Sequence, residues 1–452
     1  MISKLWQRLR GKKSEDFTGT PLVIPRDQHN VSRKNISKNA LKVLYKLNDA
    51  GYEAYLVGGS VRDILLGLSP KDFDVATNAT PEQICQVFKN SRLIGRRFKL
   101  AHVVFGREVI EVATFRGHHG DGDTQHAQTS NKGMLVRDNV YGSLEEDAFR
   151  RDFTVNALYY SAKDFTVFDH TGGLADLQKR QLKLIGDPQT RYQEDPVRIL
   201  RAIRLSCKLN LTIEPLTAAP IQKSAEMLGQ ISPARLWDEC NKLFLSGHAY
   251  SIWQQMLHFG VMKYLFYQTD QYLKGADAAL FNQFIESSLK NTDTRIKQQQ
   301  PVTPAFLFAV FLWQPLQKET QVQIKKGVHT YEASQKAAIK VVDKQRSTIA
   351  IPKRFSTVAK EIWSLQYRLP NRKKRNVDSL IQHPRFRAAY DFLCLRAAGD
   401  AKLQEIANWW TSFQEASAPD KHQLIKQVNE GHSRSHKRKK RQNNYSRRAR
   451  NN

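Results

Sequence analysis

Apolar residues recur at helical spacing at Ala40, Leu41, Val43, Leu44 and Leu47, after the candidate caps Asn35 and Ser37 and before Gly51. That period predicts the first firm helix. Residues 1–34 show no such period and, with Pro21 and Pro25 among polar and basic neighbours, read as a basic N-terminal arm. Within it Ile2, Leu5, Trp6 and Leu9 alternate with Lys4, Arg8 and Arg10, a pattern read as a frayed terminal helix rather than a membrane anchor. Residues 54–57 predict a strand ending in Gly58-Gly59, Ser60 can cap a helix through 61–66, and 72–77 predict a second strand. Thr80-Pro81-Glu82-Gln83 carries proline in the first turn and capping-box spacing. Residues 102–105 and 109–115, parted by Gly106-Arg107, predict a hairpin, and the polar stretch 117–133 reads as a loop. From Leu144 the pattern is largely helical, apart from a hairpin expected across 165–185 around Gly172-Gly173. The fold class is therefore α+β. A head with a small mixed sheet spans 35–186, a helical neck 187–250, an all-α body 251–430 and a disordered basic tail 431–452.

Charge changes the picture most. The 452 residues carry 71 Lys+Arg against 43 Asp+Glu, a net charge of +28, which implies a polyanionic partner. The tail holds nine basic residues and no acidic one, so without it the chain keeps +19, and the charge is spread over the body as well. Four dispersed cysteines (Cys85, Cys207, Cys240, Cys394), with no C-x-x-C pair, argue against zinc and disulfide frameworks and fit a reducing cytoplasm. The longest strongly apolar run, 305–313, is far short of the ~20 residues that cross a bilayer.

Several constellations carry chemistry. Asp72 and Asp74 stand at i and i+2, which on a strand places both carboxylates on one face. Such a pair suits Mg²⁺ bound with substrate phosphates, although the same spacing also occurs in turns and on solvated edges. Gly58-Gly59-Ser60 joins a strand to a helix start that can take a phosphate, with Arg62 one turn on; a plain tight turn is the alternative. No P-loop or dinucleotide fingerprint occurs. Glu111, amid apolar residues on a predicted hairpin strand able to lie beside the Asp72/Asp74 strand, reads as a third acid or as an edge carboxylate facing water. The rival pair Asp121 and Asp123, with His118, His119 and His126, sits in the polar loop and reads as solvated. Arg150 and Arg151 read as triphosphate contacts or as surface ion pairs. Asp152 and Asn156 share one face if the stretch is helical. Asp195 precedes a helix bearing Arg198, Arg201 and Arg204, a stripe able to face a polyanion, in which an Asp and an Arg one turn apart match adenine's edge.

In order along the chain, Tyr55-Leu-Val-Gly-Gly-Ser-Val-Arg-Asp63, Asp72-Phe-Asp74, Glu111-Val-Ala-Thr-Phe-Arg116, Arg150-Arg-Asp-Phe-Thr-Val-Asn156 and Glu194-Asp-Pro-Val-Arg-Ile-Leu-Arg201 resemble the successive motifs of the polymerase-β-type nucleotidyltransferase superfamily. The likeness falls in the branch of CCA-adding enzymes and bacterial poly(A) polymerases. Leu93-Ile-Gly-Arg-Arg-Phe-Lys-Leu-Ala-His-Val103, Ile351-Pro-Lys-Arg-Phe355, Phe386-Arg-Ala-Ala-Tyr-Asp-Phe-Leu393 and the basic tail resemble the poly(A) polymerases within it. Ser60 stands where the family often has Gly or Cys.

The resemblance implies a nucleotidyltransferase head in which Asp72 and Asp74 hold the catalytic metals, Mg²⁺ or Mn²⁺ in its place. Asp152 is the further acid usually grouped with them, and Asp195 and Arg198 read the incoming base. Whether Glu111 or Asp152 stands nearer the metals stays open. Gly58, Gly59, Arg62, Arg150, Arg151, Asn156, Arg201 and Arg204 complete the expected nucleotide contacts. The implied reaction is template-independent addition of AMP from ATP to RNA 3′ ends by a two-metal mechanism, with pyrophosphate released and RNA turnover promoted. ATP, RNA 3′ ends and RNA-decay proteins are the expected partners. One alternative is a tRNA CCA-adding enzyme, distinguished by use of CTP. The other is a non-catalytic RNA-binding scaffold, which has no need of Asp72 and Asp74 together.

Overall fold

The alternating apolar runs of the first half assemble into one mixed sheet in the computed structural model, which describes residues 20–95, 99–117, 127–129, 135–138, 140–275 and 278–428. Its eight strands are β1 (Leu22–Ile24), β2 (Ala54–Val57), β3 (Asp74–Thr77), β4 (Ser91–Ile94), β5 (Leu100–Phe105), β6 (Glu108–Thr114), β9 (Leu158–Ser161) and β10 (Val167–Asp169), in spatial order β1-β10-β9-β2-β3-β6-β5-β4. β7 (Ala127–Thr129) and β8 (Leu135–Asp138) form a separate ribbon, and β11 (Gln181–Leu182) pairs with β12 (Thr212–Ile213). Within the eight-stranded sheet only β3 and β6 run parallel. Leu56, Val75 and Val112 lose all contact with water, and the helix Lys38–Asp49 buries Ala40, Val43, Leu44 and Leu47 over β2 and β3. Ser37 caps that helix, and Thr80-Gln83 forms the full capping box.

The chain divides into two compact units, the first ending at Leu228 and the second beginning at Gly229, a boundary inside the segment expected as the neck. The second unit is built from helices between Pro233–Phe244 and Ala401–Glu415. Its helix Pro304–Phe311 is apolar on every side and is buried accordingly. Phe311 stacks on Trp253 at 5.6 Å, and Trp363 donates its indole N–H to the Ala309 carbonyl at 3.0 Å. A further core gathers around Trp410, whose indole N–H reaches the Leu369 carbonyl at 3.0 Å. Among the described residues no helix is long and apolar enough to cross a membrane.

Five expectations are corrected. Residues 20–34 are not a loose arm: β1 pairs with β10, and Ile24 and Val31 are buried. A three-residue edge strand is too short to leave a period in the sequence. The hairpin expected across 165–185 is instead β9 and β10, and Gly173 opens the helix Gly173–Gln178. Asp169 forces that turn, because its carboxylate accepts the N–H groups of Thr171, Gly172, Gly173 and Leu174. The second predicted strand begins only at Asp74, so Asp72 lies just outside it. The stretch 150–156 is not a continuous helix: the helix Leu144–Arg150 stops, and a 3₁₀ turn takes up Thr154–Asn156. Residues 1–10, the loop residues His118, His119, Asp121, Asp123 and His126, and the tail 431–452 lie outside the described residues. The loop expected at 117–133 contains β7.

Candidate active site

The parallel pairing of β3 with β6 brings together acids that the sequence keeps far apart. Asp74, the first residue of β3, is the register partner of Glu111 on one side and of Val57, the last residue of β2, on the other. Gly58 and Gly59 follow at that same end of the sheet. Gly58 adopts φ +74° as the chain turns into the helix Gly59–Leu65, a conformation in which a side chain would be strained. Its N–H donates to Leu158 of β9 at 3.3 Å.

Asp74 is open to solvent on one side. The protein around its other side raises its carboxyl pKa to about 6, with Glu111 and then Asp72 adding to the rise against Arg151 and Arg201. Crowded carboxylates are costly together, and a divalent cation with a preference for hard oxygen donors removes that cost. Among the described residues no group of three or more His, Cys, Asp or Glu side chains is placed to hold a metal ion. The donor set is an aspartate pair with an acidic neighbour. It fits an ion such as Mg²⁺, which takes one or two carboxylates and fills its remaining positions from water and phosphate.

Behind the acids stand two bonded groups. Arg151 donates to Asp147 at 2.8 Å and to the Tyr159 hydroxyl at 2.8 Å, while Tyr159 donates to Asp147 at 2.6 Å. Burial alone would raise the Asp147 carboxyl pKa, but Arg151 and Tyr159 hold it below the ordinary range. Asp152 is similarly overcome: despite burial, Arg201 at 2.5 Å, Asn156 and the Phe153 N–H lower it to about 2. Asp152 is thus held by Arg201 and Asn156, while Glu111 is the acid beside Asp74 in the sheet.

The predicted nucleotide contacts are placed as follows. Arg62 is nearly inaccessible, and its guanidinium donates to Asp63 and to Asn156. Arg150 donates to the Gly117 carbonyl, and Arg191 reaches back to the Arg150 and Arg151 carbonyls at 2.8 and 2.6 Å. On the helix Val197–Leu209, Arg198 donates to Glu194 at 2.8 Å and to the Arg191 carbonyl at 2.6 Å. Asp195 accepts the Val197 N–H at 3.2 Å, just before that helix. Arg201 lies on Asp152, and Arg204 lies one turn further along. The sequence reading missed Asp147, Tyr159 and Asp63. Asp147 and Arg151 at i and i+4 were the available signal, whereas Tyr159 arrives from β9, which only the sheet brings near.

The second unit contributes a different surface. Lys263, Tyr264, Tyr267, Asp270, Gln271 and Lys274 line an open groove of ≈ 660 Å³. Tyr267 is 52% exposed, with the Lys344 ammonium 5.5 Å from its ring, and Lys263 lies 4.7 Å from the ring of Tyr264. Tyr264 is half-buried, and the exposed Tyr267 ring set among cations is what single-stranded nucleic acid needs for stacking and charge.

Comparison with known proteins finds similar sequences along most of the chain. A family model described as "Poly A polymerase head domain" matches residues 54–183. "Probable RNA and SrmB- binding site of polymerase A" matches 210–273, and "Polymerase A arginine-rich C-terminus" matches 326–447. Poly(A) polymerase I of Salmonella typhimurium is 50% identical over 413 residues, 90% of this chain and 89% of that protein. Poly(A) polymerase I of Haemophilus influenzae is 42% identical, covering 95% of this chain and 96% of its own. A CCA-adding enzyme of Lactobacillus gasseri is 38% identical over 49% of this chain and 54% of its own. Among solved structures, the Bacillus stearothermophilus CCA-adding enzyme in complex with CTP superposes with a TM-score of 0.55 at 24% identity, covering 83% of this chain and 82% of that one. That likeness is one of fold.

Proposed function

The chain belongs to the poly(A) polymerase family of nucleotidyltransferases, and from that premise we propose that it adds AMP from ATP to RNA 3′ ends without a template. The observation that carries this reading is the placement of Asp74 beside Glu111 at the sheet end where Gly58-Gly59 turns, in a chain so similar to poly(A) polymerase I. Asp72 and Asp74 hold Mg²⁺, or Mn²⁺ in its place, with Glu111 as the third acid. When bound, the ions supply charge stabilisation at the phosphoryl oxygens during an in-line displacement. The protein's own part is to orient the RNA 3′-hydroxyl toward the α-phosphate and to steady the departing pyrophosphate with cationic side chains. Arg151, pinned by Asp147 and Tyr159, keeps a fixed positive charge near Asp74. Asp152 braces Arg201 and Asn156 rather than joining the acid row. The neck residues Asp195 and Arg198 read the adenine edge, for which Arg198 turns from Glu194 to the base.

The groove around Tyr264 and Tyr267 serves the RNA. Tyr267→Ala is expected to weaken binding of single-stranded oligo(A) about tenfold, the usual cost of one stacked base, and to leave the head's thermal transition unchanged. Titration of labelled oligo(A) at fixed salt measures it, and unaltered affinity would remove the groove from the RNA path. The biological setting is RNA turnover in the cytoplasm, with RNA-decay proteins as partners of the body. Primer extension with each nucleoside triphosphate alone tests the function. A long ladder with ATP alone supports it, whereas a short stop needing CTP and a tRNA end would move the assignment to CCA addition.

A further inference from the structure

One row of the sheet continues past the acids. Asp74 of β3 faces Glu111 of β6, Glu111 faces His102 of β5, and His102 faces Arg92 of β4. The His102 side chain is largely buried at 17% exposure, whereas that of Glu111 is 49% exposed. His102 Nε2 lies 3.3 Å from Glu111 Oε1 and has no hydrogen bond and essentially no contact with water. A buried polar nitrogen is expected to have a partner, and the carboxylate oxygen within reach needs only a small rotation to become one.

Glu111 has the opposite problem. It is an exposed, rotamer-rich side chain in register with Asp74, whose carboxyl its charge helps to push up. The geometry points to His102 as a positioning residue: its Nε2–H closes onto Glu111 Oε1 and holds that carboxylate in one rotamer in the row beside Asp74. The imidazole touches neither nucleotide nor RNA and acts only through Glu111. His102 belongs to the 93–103 stretch that resembles the poly(A) polymerases, so this contact connects that stretch to the acid row. The inference rests on Glu111 being the third acid.

The test is a double-mutant cycle on the full chain, with kcat and KM for ATP measured for wild type, His102→Ala, His102→Gln, Glu111→Gln and the His102→Ala/Glu111→Gln double variant. His102→Ala is expected to lower kcat roughly 10- to 100-fold, the usual cost of losing an outer partner of a metal-site ligand, with KM for ATP unchanged. His102→Gln, whose amide nitrogen falls where the imidazole Nε2 stood, restores most of the rate. In the Glu111→Gln background, His102→Ala has no further effect, because the contact it served is already gone. An equal further loss in that background would mark His102 as a merely structural residue and overturn the proposal. Full turnover of His102→Ala beside a crippled Glu111→Gln would also overturn it. Full turnover of Glu111→Gln would instead show that Glu111 itself had been misassigned, and the role of His102 would fall with it.

Discussion

Asp74→Ala is expected to abolish AMP incorporation, lowering kcat by on the order of 10³-fold or more, while RNA binding persists. The size follows from what the carboxylate does: no other side chain in the row stands at that end of β3, between the β2 turn and Glu111. The same variant is expected to fold at least as well as wild type. Asp74 has its pKa raised to about 6 in the fold, above the ~3.9 of an unfolded aspartate, so ionising it costs folded-state stability. The sign is that of a destabilising acid: the penalty is absent below pH ~3.9, grows as pH rises, and is complete above about 6. Alanine removes the penalty. A melting temperature at neutral pH no lower than wild type, together with lost incorporation, is the signature of a group retained for chemistry against stability. Normal turnover would remove Asp74 from the reaction.

Asp147→Ala is expected to do the reverse, costing the first unit about 3 kcal/mol and ~10 °C in melting temperature. Asp147 is 7% exposed and receives both Arg151 and Tyr159; without it a largely buried guanidinium and a buried hydroxyl lose their shared acceptor. Because the folded carboxyl is held below its unfolded pKa, its contribution is present above pH ~3.9 and is lost as pH falls through the lowered folded value. The gap between wild type and variant therefore narrows in acid. Calorimetry across pH measures it, and a variant that melts like wild type at neutral pH would show that the network carries little stability.

The sequence foretold this site unevenly, for physical reasons. Local signals were reliable where a short-range interaction decides the structure. Thr80 with Gln83 forms the predicted capping box, and the glycines after β2 make the predicted turn, where Gly58 needs positive φ. The β5–β6 hairpin follows its two apolar runs. Long-range pairing left weaker traces. The Glu111 strand is expected beside that of Asp72 and Asp74 and lies there, but nothing in the period of residues 108–114 states that the pairing is parallel or sets Glu111 opposite Asp74. β1 is too short to carry a pattern and is recruited by β10 from the far end of the head. The Asp152–Asn156 contact was foreseen from helical spacing, but the chain reaches it through a 3₁₀ turn after the helix has ended. Right partners were thus found through the wrong local geometry. The pairing of His102 with Glu111 was readable from the β5–β6 hairpin, because a two-residue turn at Gly106-Arg107 sets residue 105 opposite 108 and so 102 opposite 111.

In the proposed reaction AMP from ATP, and no other nucleotide, passes to an RNA 3′ end at the Asp74–Glu111 row. This transfer is tested most directly by measuring pyrophosphate release and labelled nucleotide incorporation together on an oligo(A) primer, with Mg²⁺ and one nucleoside triphosphate at a time, for wild type and Asp74→Ala. One pyrophosphate per AMP added, a ladder lengthening with ATP alone, and neither signal in the variant are the expected results. Extension that requires CTP, or release that survives in Asp74→Ala, would contradict the proposed reaction.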